Sequence, residues 1–284
     1  MRNSIFSCLF IGVILAASEP IASADDSNES AIKKDRQLIE GTWKIVALEV
    51  NGNKVADADA RKLTVVNGSE GTWSLRSDGK EVSRGTTMID PTKKTKTIDI
   101  RPTEGGGKDD LYPGIYELNE NTRKLCFAPP GKARPADFTS NSASEHILVT
   151  FEREKEDIIK RDLRRIEGTW TVVALETNGN KAGDDDARKL KVVIGADGSW
   201  SLNVDGREVA QGTSSIDPTK TPKIIDFKTV VGEDAGKQSL GIYEVGETSM
   251  KFCVATSGKE RPGDFASLPG SDVLFLTLER EETR

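Results

Sequence analysis

Four aspartates fall into two pairs of a kind that can do acid–base work: Asp90 with Asp99, and Asp217 with Asp226. Two carboxylates flanking a bond can serve as proton donor and as base or nucleophile in hydrolysis. Asp90 and Asp217 each sit in Ile-Asp-Pro, which opens a turn. The alternation Ile98-Asp99-Ile100 places Asp99 on the solvent side of a strand. Neither pair reads as catalytic. The run Asp184-Asp185-Asp186, echoed by Asp57-Ala58-Asp59, has the acid density of a cation site. Calcium, however, takes about six to eight oxygens from a loop with a sharp glycine turn, and that spacing is missing. The Ala-Arg-Lys-Leu that follows favours a helix start, where aspartates cap the first turn and complement the dipole. No Gly-x-Ser-x-Gly, phosphate-binding glycine loop or cluster of Cys and His occurs, so nucleophilic, phosphoryl and metal chemistry lack candidates. The expectation is a protein that is not an enzyme, with no catalytic residues, metal or cofactor.

Composition narrows the classes further. The chain has 284 residues, 30% charged and 36% hydrophobic, with a net charge of −6. That length favours two domains of ordinary size. With 40 Lys+Arg against 46 Asp+Glu there is no basic excess to condense on phosphates, which excludes nucleic acid as the expected partner. At the start of the sequence, Arg2 precedes an apolar run from Ile5 to Ala17 and then Ala22-Ser23-Ala24. This order reads as a signal peptide, residues 1–24, cleaved before Asp25. The run is too short to cross a bilayer as a helix, and no second one follows. Cys8 lies too early in it to be a lipid-attachment site. A periplasmic or extracellular protein without a transmembrane segment is expected.

The chain then repeats itself. Ile39-Glu40-Gly41-Thr42-Trp43 returns as Ile166-Glu167-Gly168-Thr169-Trp170, a shift of 127 residues. The same shift carries Trp73-Ser74-Leu75 onto Trp200-Ser201-Leu202, Gly114-Ile115-Tyr116-Glu117 onto Gly241-Ile242-Tyr243-Glu244, and Cys126 onto Cys253. No insertion breaks the register. A period this long marks a duplicated domain, with domain 1 over residues 25–154 and domain 2 over 155–284. His146, the one histidine, faces Val273 in the other copy and reads as an exposed edge residue.

Strand signals dominate each copy. The first predicts strands at 42–50, 62–67, 71–77, 80–89, 95–102, 112–118, 123–128 and 145–153. Asn51-Gly52, Asn67-Gly68 and Ser77-Asp78-Gly79 punctuate them as hairpin turns. A short charged helix precedes each Gly-Thr-Trp, at about 28–39 and 154–166. Eight successive strands without intervening helices imply an antiparallel up-and-down barrel. Parity puts Trp43, Ile45 and Ala47 on one face of the first strand, leaving Val46 and Leu48 (Val173 and Leu175 in the second copy) outside. On the last strand, Ile147, Val149, Phe151 and Arg153 share a face, as do Leu274, Leu276, Leu278 and Arg280. An arginine in phase with a greasy face needs a partner, and an indole ring supplies one. Arg153 is therefore expected to cap Trp43, and Arg280 to cap Trp170, closing one end of each barrel.

A Gly-x-Trp on the first strand with an arginine ending the last resembles the lipocalins and their calycin relatives. More narrowly, Gly-Thr-Trp, Ile-Asp-Pro, Gly-Ile-Tyr-Glu, the cysteine strand and Arg-Pro-x-Asp-Phe resemble a family of exported, sometimes tandem, lipocalin-like domains from planctomycete bacteria. The resemblance covers both copies. It implies an all-β chain of two tandem eight-stranded antiparallel lipocalin-like barrels, each a cup able to hold a small apolar or amphipathic molecule.

The long connection before each last strand carries Arg134-Pro135-Ala136-Asp137-Phe138 and Arg261-Pro262-Gly263-Asp264-Phe265. Arg134, Asp137, Phe138, Arg261, Asp264 and Phe265 are the candidate ligand contacts, since long ordered loops often carry binding. The competing reading has the phenylalanines plugging the barrel while Arg-x-x-Asp ties the loop. Cys126 and Cys253 read as buried thiols, with a bridge between domains as the alternative. Two functions stay level: carriage of a small apolar or amphipathic molecule, and an envelope-structural or protein-binding role with barrels filled by their own side chains. An empty lined interior would separate the first from the second.

Overall fold

The computed structural model describes residues 24–281, so the leader pattern of residues 1–24 lies almost wholly outside the described residues. The first unit runs α1 (Ala24–Ile39), β1 (Gly41–Val50), β2 (Asn53–Lys54), α2 (Asp57–Ala60), β3 (Leu63–Asn67), β4 (Thr72–Ser77), β5 (Lys80–Asp90), β6 (Thr97–Glu104), β7 (Tyr112–Leu118), β8 (Thr122–Phe127) and β9 (Ile147–Arg153). The second runs α3 (Lys155–Ile166), β10 (Gly168–Thr177), β11 (Asn180–Lys181), α4 (Asp184–Ala187), β12 (Leu190–Ile194), β13 (Ser199–Val204), β14 (Arg207–Asp217), β15 (Lys223–Val231), β16 (Gln238–Val245), β17 (Ser249–Ala255) and β18 (Val273–Arg280). β1 pairs antiparallel with β3 and β10 with β12, and each later strand pairs with its successor within its unit. The two-residue β2 and β11 lie beside β1 and β10, and the β1–β9 and β10–β18 pairings close the sheets. The chain is thus two tandem eight-stranded barrels, each preceded by a short helix, an architecture that fits a lipocalin-like fold.

Local chemistry explains most of the element boundaries. Asn51-Gly52 and Asp78-Gly79 both adopt positive φ, as do Asn178-Gly179 and Asp205-Gly206, which matches the twist of tight hairpins. Gly41 (φ +108°) turns the chain out of α1 into β1, and a Cβ there would meet the Arg153 guanidinium at 3.0 Å. Gly168 stands in the same relation to Arg280, at 2.9 Å.

Three details depart from the expected pattern. A bulge between Ile45 and Ala47 resets the parity of β1, so Ala47 faces solvent and Leu48 turns inward. The same bulge lies between Val172 and Ala174, and Leu175 joins the core. Asn67 does not occupy a turn; it is the last residue of β3 and is buried. The aspartates of α2 and α4 stand in the first turn, while Ala56 and Gly183 hold the N-cap positions without a side-chain cap. Asp59 and Asp186 instead pair with Lys62 and Lys189 three residues on.

The floor of each barrel is built from three layers of chemistry. Trp43 is fully buried, and its indole Nε1 donates to the Ile39 carbonyl at 2.7 Å. The Arg153 guanidinium lies 4.1 Å from the centroid of that ring. It donates to the carbonyls of Glu40 (2.6 Å), Leu38 and Glu120 (2.9 Å). The carbonyls of Leu38, Ile39 and Glu40 are those the C-terminal end of α1 leaves unpaired, at the negative end of its dipole. Arg280 repeats this over Trp170 at 4.1 Å, donating to Glu167 and Arg165, while Trp170 donates to Ile166.

The third layer was not anticipated. Buried Asp35 on α1 accepts from Tyr116 Oη (2.7 Å) and Lys96 Nζ (2.7 Å). Buried Asp162 on α3 accepts from Tyr243 Oη (2.7 Å) and Lys223 Nζ (2.6 Å). Burial first, and then the adjacent carboxylate, raise both phenols far above the ordinary tyrosine range, so they stay donors. The helix between the barrels also reaches back to the first: Arg165 pairs with Glu120 at 2.6 Å, and Asp157 accepts from Thr42 N.

Two substitutions test this floor. Trp43→Ala should destabilise the first barrel by on the order of 3–5 kcal/mol in denaturant unfolding. A first barrel that unfolds unchanged would contradict the packing. Asp162→Ala leaves the half-buried Lys223 ammonium and the buried Tyr243 phenol without their acceptor, and should destabilise the second barrel by about 1–3 kcal/mol.

Candidate functional site

The inward faces of the first barrel enclose a cavity of ≈ 220 Å³. Because side chains alternate along a strand, seven of the eight barrel strands send inward-facing residues to it, and β7 sends none. Ile45 and Leu48 come from β1, Leu63, Val65 and Asn67 from β3, Ile98 and Ile100 from β6, Arg123, Leu125 and Phe127 from β8, and Ile147, Val149 and Phe151 from β9. The walls are almost wholly hydrocarbon. The exceptions near the floor are Thr87, Asn67 and Arg123.

Arg123 is 4% exposed and Asn67 6%. The guanidinium lies 4.5 Å from the Phe151 ring centroid and 5.2 Å from that of Trp43. Its Nη1 donates to Asn67 Oδ1 over a long 3.4 Å. Among the described residues, Arg123 Nε and Asn67 Nδ2 have no hydrogen-bond partner. The third such buried atom, Asp226 Oδ1, faces Arg261 at 2.6 Å. Burial pushes the Arg123 guanidinium down to about 9, with repulsion from Arg153 adding to it; the group still carries its charge at neutral pH.

The second barrel places other residues at these positions. Met250 stands for Arg123, Ile194 for Asn67, Phe227 for Ile100 and Phe252 for Leu125. Phe252 and Met250 are buried, and Phe227 meets Phe252 edge-on at 5.5 Å and Trp200 at 5.6 Å. These rings occupy the corresponding part of the interior. Two exchanges run the other way, Phe127 against Val254 and Phe151 against Leu278. The β8 stretch Arg123-Lys124-Leu125-Cys126-Phe127 carried the signal for Arg123, because its parity with Leu125 and Phe127 points it inward. The 127-residue shift sets Arg123 against Met250 and Asn67 against Ile194, polar residues where the other barrel is apolar.

The loop residues singled out from the sequence lie on the outside of the barrels. Cys126 has the parity opposite to Arg123 and Leu125, and the loop passes over it, with Sγ 3.5 Å from the Thr139 carbonyl. Arg134 donates to the carbonyls of Ile98 (2.8 Å) and Gly114 (2.6 Å) and pairs with Asp99 at 2.6 Å. Arg261 binds the Gly241 carbonyl and Asp226 in the same manner. Asp137 accepts from Thr139 Oγ1. Phe138 lies against Lys124 at 5.2 Å, and Phe265 packs on Phe275 in a small cluster with Cys253. The loop therefore brings Arg134 to Asp99 rather than to Asp137, and none of Arg134, Asp137 and Phe138 lines the cavity. Asp264 neighbours the same outer cluster through Phe265. His146 Nδ1 donates to the Thr139 carbonyl at 3.2 Å. Asp90 and Asp217 each bind the backbone and hydroxyl of a threonine two residues on, forming the turns.

A wider groove of ≈ 620 Å³ runs between β8, α3 and the β14–β15 turn, including Asn121, Ile158 and Pro218. No unpartnered buried polar atom lines it. The chain matches no protein-family model and no curated protein sequence, so the geometry carries the functional argument.

Both described cysteines are free and buried. Burial pushes the Cys126 thiol up to about 11, and that of Cys253 is raised for the same reason. A raised thiol holds its proton through neutral pH, and the thiolate is the reactive form. At pH 8 the native protein should therefore react with iodoacetamide far more slowly than the denatured chain. Equal rates would place the thiols at the surface.

Proposed function

We propose that the protein is an exported, non-enzymatic binding protein whose first barrel takes one small apolar or amphipathic molecule. The observation that carries this reading is the contrast between two copies of one fold. One interior holds a lined cavity, and the other is occupied by aromatic rings at the same positions. Export rests on the leader pattern of residues 1–24, and on the resemblance to exported planctomycete domains. That no described helix is long and apolar enough to cross a membrane is consistent with it. The second barrel favours the other role, an envelope-structural or protein-binding module. Its interior is its own, and the helix that seats it, α3, also grips the first barrel through Arg165 and Glu120.

Native mass spectrometry of the protein purified from its source should show one excess mass per chain. The double variant Ile100→Phe/Leu125→Phe installs the residues of the second barrel and should fold while losing that mass. Overpacking of this kind costs about 1–3 kcal/mol, which the unfolding curve will register. A native chain that carries nothing, and takes up no apolar fluorescent probe, would leave the structural role standing alone.

A further inference from the structure

Arg123 is out of place as a structural residue. An unpaired ion in a core is among the more expensive arrangements a fold can hold. Among the described residues, no acidic side chain pairs with it, and the two influences on its proton, burial and Arg153, both oppose the charge. The rings of Phe151 and Trp43 contact the guanidinium but do not satisfy its N–H edge. Met250 and Ile194 hold the same positions in the second barrel, so the fold itself does not require the polar pair. Its partner is to be sought outside the chain.

We infer that the first barrel binds a small monocarboxylate with a short hydrocarbon tail, its carboxylate held on the floor by Arg123 and Asn67. The inference rests on the carriage reading above and names the ligand class of that same cavity. The free Nε of Arg123, with its neighbouring Nη, forms the planar fork that matches a carboxylate through two parallel hydrogen bonds. The free amide hydrogens of Asn67 add a further donor. Above them, Leu48, Leu63, Leu75 and Ile147 offer only hydrocarbon, suited to the tail. At roughly 30 Å³ for each water-sized group, the ≈ 220 Å³ cavity takes about seven such groups, which suits a short tail. One positive charge lies uncompensated at the floor, because Arg153 is engaged by backbone carbonyls, so a singly charged head group fits better than a phosphate.

The test is calorimetric titration of the full chain with hexanoate, 1-hexanol and hexylamine, which share a tail and differ in the head group. Hexanoate should bind once per chain and at least about tenfold tighter than hexanol, as expected for charge-assisted hydrogen bonds made in a dry site. Hexylamine should bind weakest. Arg123→Met, and the double variant Asn67→Ile/Arg123→Met, put the residues of the second barrel at these two positions. Both should lose the preference for hexanoate, keep hexanol within about threefold of the native affinity, and melt no lower than the native protein. Equal binding of hexanoate and hexanol by the native chain would overturn the inference and leave carriage intact. A preference that survives in Arg123→Met would overturn it as well. Absence of binding by all three probes, together with no uptake of an apolar fluorescent probe, would remove the carriage reading itself.

Discussion

The contact on which both barrels depend is an arginine held between an indole ring and the end of a helix. Arg153 satisfies two needs at once. The last carbonyls of α1 have no partner within the helix, and the closing strand leaves a cation at the edge of an apolar interior. Joining the two removes both liabilities, and the Trp43 ring beneath supplies the face that excludes water from the joint. Because Arg153 comes from the last strand and Trp43 from the first, the joint also fixes where the barrel closes. Gly41 is favoured at that point, since the chain leaves the helix with a positive φ that L side chains rarely adopt, and a Cβ would crowd the Asp157 carboxylate and the Arg153 guanidinium. Asp35 with Tyr116 and Lys96 pins the same helix from its other side. The helices are thus parts of the barrel floors, not linkers laid over them.

Much of this was legible from residue types alone, and the limits have definite causes. Strand positions followed from alternation and from the paired turns, where Asn-Gly and Asp-Gly dictate positive φ. The Trp43–Arg153 and Trp170–Arg280 contacts followed from parity. What alternation cannot register is a bulge, which adds one residue and inverts every later side chain; this sent Ala47 out and Leu48 in. Asn67 beside Gly68 has the composition of a turn, and only the pairing of β3 with β1 shows that it ends a strand with its amide buried. The Asp35 and Asp162 networks join residues about 60 and 80 positions apart, a separation at which composition and spacing carry no signal.

The candidate site followed the same logic from the opposite side. Attention to loops is sound where a rigid scaffold presents them. Here the Arg-Pro-x-Asp-Phe loop spends its polar groups on backbone carbonyls of β6 and β7 and on Asp99, and its ring on the outer strand surface. Its contact with Cys126 is through the Thr139 carbonyl. The interior retains unconsumed chemistry, and only in one copy. A duplicated domain supplies its own control: residues common to both barrels serve the fold, and a polar residue present in one where the other is apolar must be explained by something else.

Placement of Arg123 ties the cavity to the floor joint. Its guanidinium touches Phe151 and the same Trp43 ring that Arg153 covers, so two cations share one indole and repel each other across it. An anion seated on Arg123 would lower that repulsion as well as satisfy the free N–H groups. Part of the binding energy would then appear as strengthening of the joint that closes the barrel. By linkage, a ligand that binds the folded state alone raises stability with the logarithm of its concentration over Kd. The second barrel, with Met250 in place of the arginine, has no such pair of cations over its indole. The two copies therefore stand at opposite ends of one trade, between a well-satisfied core and an interior able to hold something else.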